Sequence, residues 1–207
     1  VITYTNSAKN QIRNKIIELN GIVPKNIMIE TIHSFLIREV IFPFNHLLFD
    51  NKFTGVSEIK LSDNPTFKAI KIKELANKNI IHVEKETEVA KWILYKKSGD
   101  KQIHKEKRKK IISIMERYLD SIFIDEAQDI DKNLLEVIKV LDGSNININL
   151  IGDPKQDLRG RNVFRELING SNNSDVIYKK ENYRCPITHI ELSNKYVEEN
   201  QKQFPCE

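Results

Sequence analysis

The chain has 207 residues, of which 40% are hydrophobic, enough for one domain or one domain with an insertion and too apolar for a disordered segment. Thirty-three Lys and Arg against 29 Asp and Glu leave a formal charge of +4, so no single-sign field covers the surface and any nucleic-acid contact has to come from local clusters. No run approaches the roughly 18 apolar residues of a membrane span, and the first residues lack a signal-peptide pattern, so a soluble cytoplasmic protein with no membrane partner is expected. Cys185 and Cys206 are too few for a disulfide framework or an all-cysteine zinc site, which leaves only a mixed site with histidines as a formal alternative.

Val1-Ile2-Thr3-Tyr4-Thr5 is β-branched or aromatic throughout and predicts a buried strand with no lead-in, as if the chain began in mid-fold. From Ser7, Ala8, Ile12, Ile16 and Leu19 recur at helical spacing, and Asn20-Gly21 supplies a left-handed stop. Ile27-Met28-Ile29 predicts a short second strand, and Thr31 is placed to cap a helix carrying Phe35, Ile37 and Val40.

Between about residues 41 and 118 the pattern changes. Loops punctuated by Pro43, Gly55 and Pro65 precede helical stretches marked by Phe67, Ile70 and Leu75, then Val89, Trp92 and Ile93, and no strand is expected. The stretch from Lys96 to Lys110 holds eight Lys or Arg against Asp100 and Glu106, a local charge of +6, and leads into Ile111, Ile114, Met115 and Tyr118. That edge is either a phosphate-facing surface or a solvated helix face.

Strand and helix then alternate. Ser121–Ile124 reads as a strand, Leu134, Val137, Ile138 and Leu141 as one face of a helix, and Ile146–Ile151 as a strand. Val163, Phe164, Leu167 and Ile168 mark a helix, Val176-Ile177-Tyr178 a strand, and Ile187, Ile190 and Val197 a last helix. The alternation predicts an α/β fold with a parallel sheet.

Three stretches carry chemistry. In Ile122-Phe123-Ile124-Asp125-Glu126-Ala127-Gln128-Asp129, three apolar residues predict a buried strand with two acids at its carboxyl end, where open parallel sheets bind ligands. Two readings fit: Asp125 holding hydrated Mg²⁺ with Glu126 deprotonating a water, or acids favouring a helix amino terminus. Leu150-Ile151-Gly152-Asp153-Pro154-Lys155-Gln156 ends a strand at the same rim, with Gln156 a phosphate or water contact, or else forms a plain turn. In Glu181-Asn182-Tyr183-Arg184-Cys185-Pro186, Arg184 suits forked bonds to phosphate or a surface ion pair.

These three stretches, with Thr3-Tyr4-Thr5-Asn6-Ser7-Ala8 and Thr31-Ile32-His33-Ser34-Phe35, resemble in order and spacing the superfamily 1 DNA helicases of the UvrD, Rep and PcrA type, from Val1 to about residue 200. The resemblance implies a RecA-like P-loop NTPase sheet, partial here, made of residues 1–40 and 119–207, with 41–118 as an inserted helical accessory subdomain. It implies ATP and Mg²⁺ as cofactors. Asp125 would hold Mg²⁺, Glu126 would be the catalytic base, Gln156 would sense the γ-phosphate, and Arg184 would touch it and stabilise transition-state charge. Tyr4, Thr5, Asn6, Thr31 and His33 would line a single-stranded DNA track, with helix caps as the plain reading of Thr5, Asn6 and Thr31, and a core imidazole as that of His33. Lys107, Arg108, Lys109 and Lys110 would face the duplex at single/double-strand junctions.

The sequence departs from the family in two places. No GxxxxGK[ST] occurs, and none of the seven glycines begins such a loop. The family's loop lies upstream of the Thr3 motif and its second motor domain downstream of the NYR motif, so the expected partners include those parts of a helicase chain, and residues 1–207 alone are expected to be inactive as an ATPase. The alternative is a non-catalytic DNA-binding or regulatory module without the nucleotide loop; a third is a nuclease-linked or defence protein carrying this domain. Second, where the family has an aromatic pair after GDPKQ, this chain reads Asp157-Leu158-Arg159-Gly160-Arg161-Asn162-Val163-Phe164, so Arg159, Arg161 or Phe164 would have to replace base-stacking rings.

Overall fold

A computed structural model describes residues 1–49, 52–172, 175–197 and 199–206. They form two compact units, 1–165 and 166–207.

The first unit is organised by a four-stranded sheet in the order β2-β1-β5-β6. Its strands are β1 (Ile2–Thr3), β2 (Glu30–Thr31), β5 (Ser121–Ile124) and β6 (Asn147–Leu150), and every pairing is parallel, as the strand–helix alternation predicts. β1 and β5 are thereby the inner strands. Backbone bonds prolong the ladder past the strand ends: Asp125 N–H donates to Ile2 O at 2.9 Å and Ile151 N–H to Ile124 O at 2.8 Å.

Two strand expectations shift in detail. The second strand begins at Glu30 rather than over 27–29, although Met28 O still accepts from the Val1 amino group at 2.6 Å. β5 is not buried on both faces: Ile122 and Ile124 are buried, but Phe123 is 41% exposed, so its three apolar residues alternate between a covered and an open side.

Helix α1 (Asn6–Asn20) starts where Thr5 Oγ1 accepts from Ala8 N–H at 3.1 Å, and ends at Gly21, whose φ of 77° is the left-handed stop read from the sequence. Ala8, Ile12 and Ile16 are half-buried, whereas Leu19 is exposed at the end of the row. Thr31 caps α2 (Ile32–Phe35), which continues through a π-helical stretch, Leu36–Ile41, into α3 (Phe42–Leu48).

Pro43 is therefore within the first turn of a helix and not in a loop. The π stretch already shifts the hydrogen-bond ladder there, so a residue with no N–H costs little. Buried Asn45 ties the following segment down: its Nδ2 donates to Ile41 O at 2.7 Å and its Oδ1 accepts from Phe53 N–H at 2.9 Å.

Two strands occur where none was expected. β3 (Gly55–Ser57) pairs in parallel with β4 (Ile80–His82), the two flanking α4 (Pro65–Asn77) in the chain. Each has three residues, too few for an alternating pattern to stand out.

Then follow α5 (Glu86–Leu94), α6 (Gln102–Met115) and α7 (Lys132–Asp142). The face of α7 predicted from spacing is the buried one, Leu134, Val137, Ile138 and Leu141, and α7 packs on α5 and β6. α5 also packs on the π stretch, whose Leu36, Val40 and Ile41 are fully buried. α8 (Val163–Gly170) starts in the first unit, with Val163 and Phe164 buried.

In the second unit no strand covers Val176–Tyr178, and Ile177 is 80% exposed. β-branched and aromatic residues favour strands only where a partner and a packed face exist, and this stretch has neither. Instead β7 (Glu181–Asn182) pairs in parallel with β8 (Phe204–Pro205). α9 (Ile187–Asn194) stops before Val197 and buries Ile190. The Asn194 side chain and the Gln203 backbone lock its end, with Asn194 Nδ2 donating to Gln203 O at 2.6 Å and Gln203 N–H to Asn194 Oδ1 at 2.9 Å.

Candidate functional site

β5 and β6 run side by side in the same direction, so the segments after them emerge at one rim of the sheet. After Ile124 the chain turns sharply: Glu126 has φ 56° and ψ 44°, a left-handed conformation costing about 1–2 kcal/mol in a non-glycine residue. The flanking anchors hold it there. Ala127, fully buried, donates its N–H to Ile151 O at 2.8 Å, and Ala127–Asp129 forms a short 3-10 turn. The result is a partly exposed Asp125 and an exposed Glu126 on a fixed backbone.

The segment after β6 is tied to the same turn. Gln128, 4% exposed, donates from Nε2 to Glu126 Oε2 at 2.5 Å and accepts at Oε1 from Asp153 N–H at 3.1 Å. Asp153 in turn accepts from Lys155 N–H at 2.9 Å and from Gln156 Nε2 at 3.0 Å, capping the turn Pro154–Gln156. Gly152 is required by this close approach: a Cβ on it would stand 2.5 Å from Gln128 Oε1, 2.8 Å from the Ala127 nitrogen and 3.1 Å from a Phe164 ring carbon.

Glu126 and Gln156 thus belong to one hydrogen-bonded cluster. Arg184 lies in the second unit, exposed, in a turn where Asn182 Oδ1 accepts from the N–H groups of Arg184 and Cys185 at 3.0 and 2.9 Å. Among the described residues no hydrogen bond or ion pair engages the Asp125 carboxylate, and no group of three or more His, Cys, Asp or Glu is arranged to hold a metal.

Four of the five residues expected on the single-strand track line one cavity of about 670 Å³: Tyr4, Asn6, Thr31 and His33. Thr5 Oγ1 is used as the α1 cap, and Thr31 Oγ1 accepts from Ser34 N–H at 3.2 Å. The Tyr4 hydroxyl is buried with no hydrogen-bond partner among the described residues; burial and the charges of Asp129 and Asp131 push its ionisation well above the ordinary phenol range.

His33 Nδ1 lies 2.5 Å from Glu86 Oε2 while its side chain stays 56% exposed toward solvent. The hydrogen bond to Glu86 raises the imidazole's pKa above its usual value, against the opposing effect of burial, and the negative charges of Glu86, Glu58 and Asp131 add to the rise. The cavity wall also carries Glu58 and Glu84, and Arg38.

The basic stretch is divided by the fold. Arg108 is 7% exposed: its guanidinium donates to Trp92 O at 2.7 and 3.2 Å and to Asp100 Oδ2 at 2.6 Å. Lys107 Nζ donates to Leu47 O at 2.7 Å, and Lys97 lies over the Trp92 ring at 4.3 Å. Lys96, Lys101, Lys105, Lys109 and Lys110 are exposed. Beyond Gln156, Arg159 is exposed with no side-chain partner among the described residues, Arg161 donates to Asp129 O at 2.5 Å, and Phe164 is buried.

Two residues of the site carried no role in the sequence reading. Gln128 sits inside the acidic motif, and its spacing two residues after Glu126 was the available signal. Glu86 gave none, because nothing local ties it to a histidine 53 positions away.

No curated protein matches the chain. Residues 101–158, which contain α6, the acidic turn after β5, α7, and β6 with the Asp153–Gln156 turn, match the family model of the UvrD/REP helicase N-terminal domain, so this stretch is similar to that of UvrD-type helicases.

Proposed function

We propose that this chain is part of the first motor domain of an ATP-dependent DNA helicase or translocase, a RecA-like sheet with residues 41–118 as its accessory insertion, coupling ATP hydrolysis to movement on single-stranded DNA. The observation that carries the reading is the hydrogen-bonded cluster joining Glu126 to Gln156 at the carboxyl ends of adjacent parallel strands, within the stretch similar to UvrD-type helicases.

The donor set fits magnesium. One unengaged carboxylate, Asp125, at a strand end suits a hard, hydrated cation delivered with nucleotide phosphates better than a cage of protein ligands. When bound, such an ion would neutralise charge on the phosphate oxygens. In this reading Glu126 accepts the proton of the attacking water at Oε1, which no side chain among the described residues engages, while Oε2 receives Gln128. Gln156 donates to the terminal phosphate, exchanging its bond to Asp153, and Arg184 of the second unit is proposed as a charged fork for phosphate.

The nucleic-acid side of the proposal is the cavity lined by Tyr4, Asn6, Thr31 and His33, with exposed Lys109 and Lys110 as duplex contacts at a junction. Hydroxyl, amide and imidazole groups position phosphates without reading sequence. The test is ATP hydrolysis by the full-length translation product, with and without single-stranded DNA. DNA-stimulated turnover that Glu126→Gln abolishes while nucleotide binding survives is the expected result; no stimulation in the wild type, or most turnover retained in Glu126→Gln, defeats the proposal.

A further inference from the structure

We infer that Gln128 is a positioning residue that fixes Glu126 and the Gln156 turn to one another, so that water activation and terminal-phosphate sensing are set by a single buried amide; this rests on the nucleotide-hydrolysis reading above.

The geometry admits one orientation of the amide. A carboxylate oxygen can only accept, so the Gln128 group 2.5 Å from Glu126 Oε2 is the NH₂; a backbone N–H can only donate, so the group 3.1 Å from Asp153 N is the carbonyl oxygen. A primary amide donates at one end and accepts at the other, which is what the two partners require. From Asp153 the chain of bonds continues to Gln156 Nε2 at 3.0 Å. The four residues Glu126, Gln128, Asp153 and Gln156 are therefore linked in that order, Asp153 contributing its backbone N–H toward Gln128 and its carboxylate toward Gln156.

Burial gives the line its direction of control. Gln128 is 4% exposed and both ends of its amide are used, while Glu126 and Gln156 are exposed. An exposed glutamate ordinarily samples several rotamers, and here one bond to an immobile donor selects one of them. Gly152 makes room for that donor, since any Cβ there would meet Gln128 Oε1 at 2.5 Å. When Gln156 leaves Asp153 for a phosphate, the Asp153 backbone N–H still holds Gln128, so the base keeps its place while the sensor moves.

The experiment has a kinetic arm and a spectroscopic arm. In the full-length protein with saturating single-stranded DNA, Gln128→Leu, which keeps volume and removes both bonds, is expected to lower kcat about 10- to 100-fold and leave KM for ATP within about two-fold. If Gln128→Leu does not fold, Gln128→Glu takes its place: it retains the acceptor toward Asp153, sets a carboxylate against Glu126, and is expected to give the same split. An unchanged kcat, or a loss accounted for by a smaller folded fraction, overturns the inference. In the 207-residue chain, Gln128→Leu, which removes the acceptor toward Asp153, is expected to move the Gln156 side-chain amide resonances, whereas Lys105→Ala leaves them in place; unmoved Gln156 resonances overturn the link. A wild type without DNA-stimulated hydrolysis removes the nucleotide reading alone, because the spectroscopic arm still decides whether Gln128 ties the two turns together.

Discussion

His33 Nδ1 lies 2.5 Å from Glu86 Oε2, which brings a residue of the first helix after β2 against the buried start of α5, 53 positions later. Glu86 is 1% exposed and faces that imidazole, whose other side stays open to solvent. The folded-state pKa of His33 is raised, which fixes the sign of its pH dependence. The pair's stabilisation is fully present below the ordinary imidazole pKa of about 6.5 and fades as pH rises through the higher folded value. Thermal melts of wild type and His33→Gln are expected to differ most at pH 5.5 to 6 and to converge at alkaline pH; a gap that widens with rising pH would contradict the assignment.

Gly152 is the tightest point of the acidic rim. Its missing side chain would meet Gln128, a backbone nitrogen and the Phe164 ring, of which the backbone cannot swing aside. Gly152→Ala is expected to destabilise the protein by about 1–3 kcal/mol in chemical denaturation. Gly170→Ala, with nothing within 4 Å of the added carbon, serves as the control and should change little.

The buried stripe of α7 joins α5 to the sheet. Leu134→Ala removes a side chain that is 2% exposed, and an unfolding free energy lower by about 2–5 kcal/mol is expected. A loss below 1 kcal/mol would mean that the site collapses to fill the space or that α7 packs elsewhere.

The basic stretch should separate into two behaviours. Exposed Lys109 and Lys110 can each neutralise a phosphate, so replacing both with Ala should shrink the salt slope of DNA binding by about 1.8 in log–log terms, with melting temperature nearly unchanged. Arg108→Ala removes the guanidinium that meets Asp100 at 2.6 Å and leaves Trp92 O without its donor, although Lys97 N–H and His104 still face Asp100, and about 1–3 kcal/mol of stability should go without a comparable change in slope. Fluorescence titrations across a salt series, together with melts, distinguish the two.

Local sequence was sufficient wherever the determining physics is local. The α7 face follows from 3.6-residue spacing and the ends of α1 from a threonine cap and a left-handed glycine, because each depends on residues within a turn or two of one another, and the parallel direction of the sheet follows from the alternation of strand and helix along the chain. The acidic motif and its partner turn were legible for the same reason: each is a strand followed at once by its polar residues.

Tertiary structure decided what depends on distant partners. Whether Val176–Tyr178 becomes a strand is a question of having a neighbour, and Glu181–Asn182 pairs instead, with residues near the end of the chain. Whether a cation in the run from Lys96 to Lys110 faces water or the core depends on what packs beside α6, and Trp92 and Asp100 claim Arg108. The same holds for the bonds Gln128 makes. Composition and spacing set which groups are available, but burial and hydrogen-bond partners, which only the folded chain creates, set which of them are engaged.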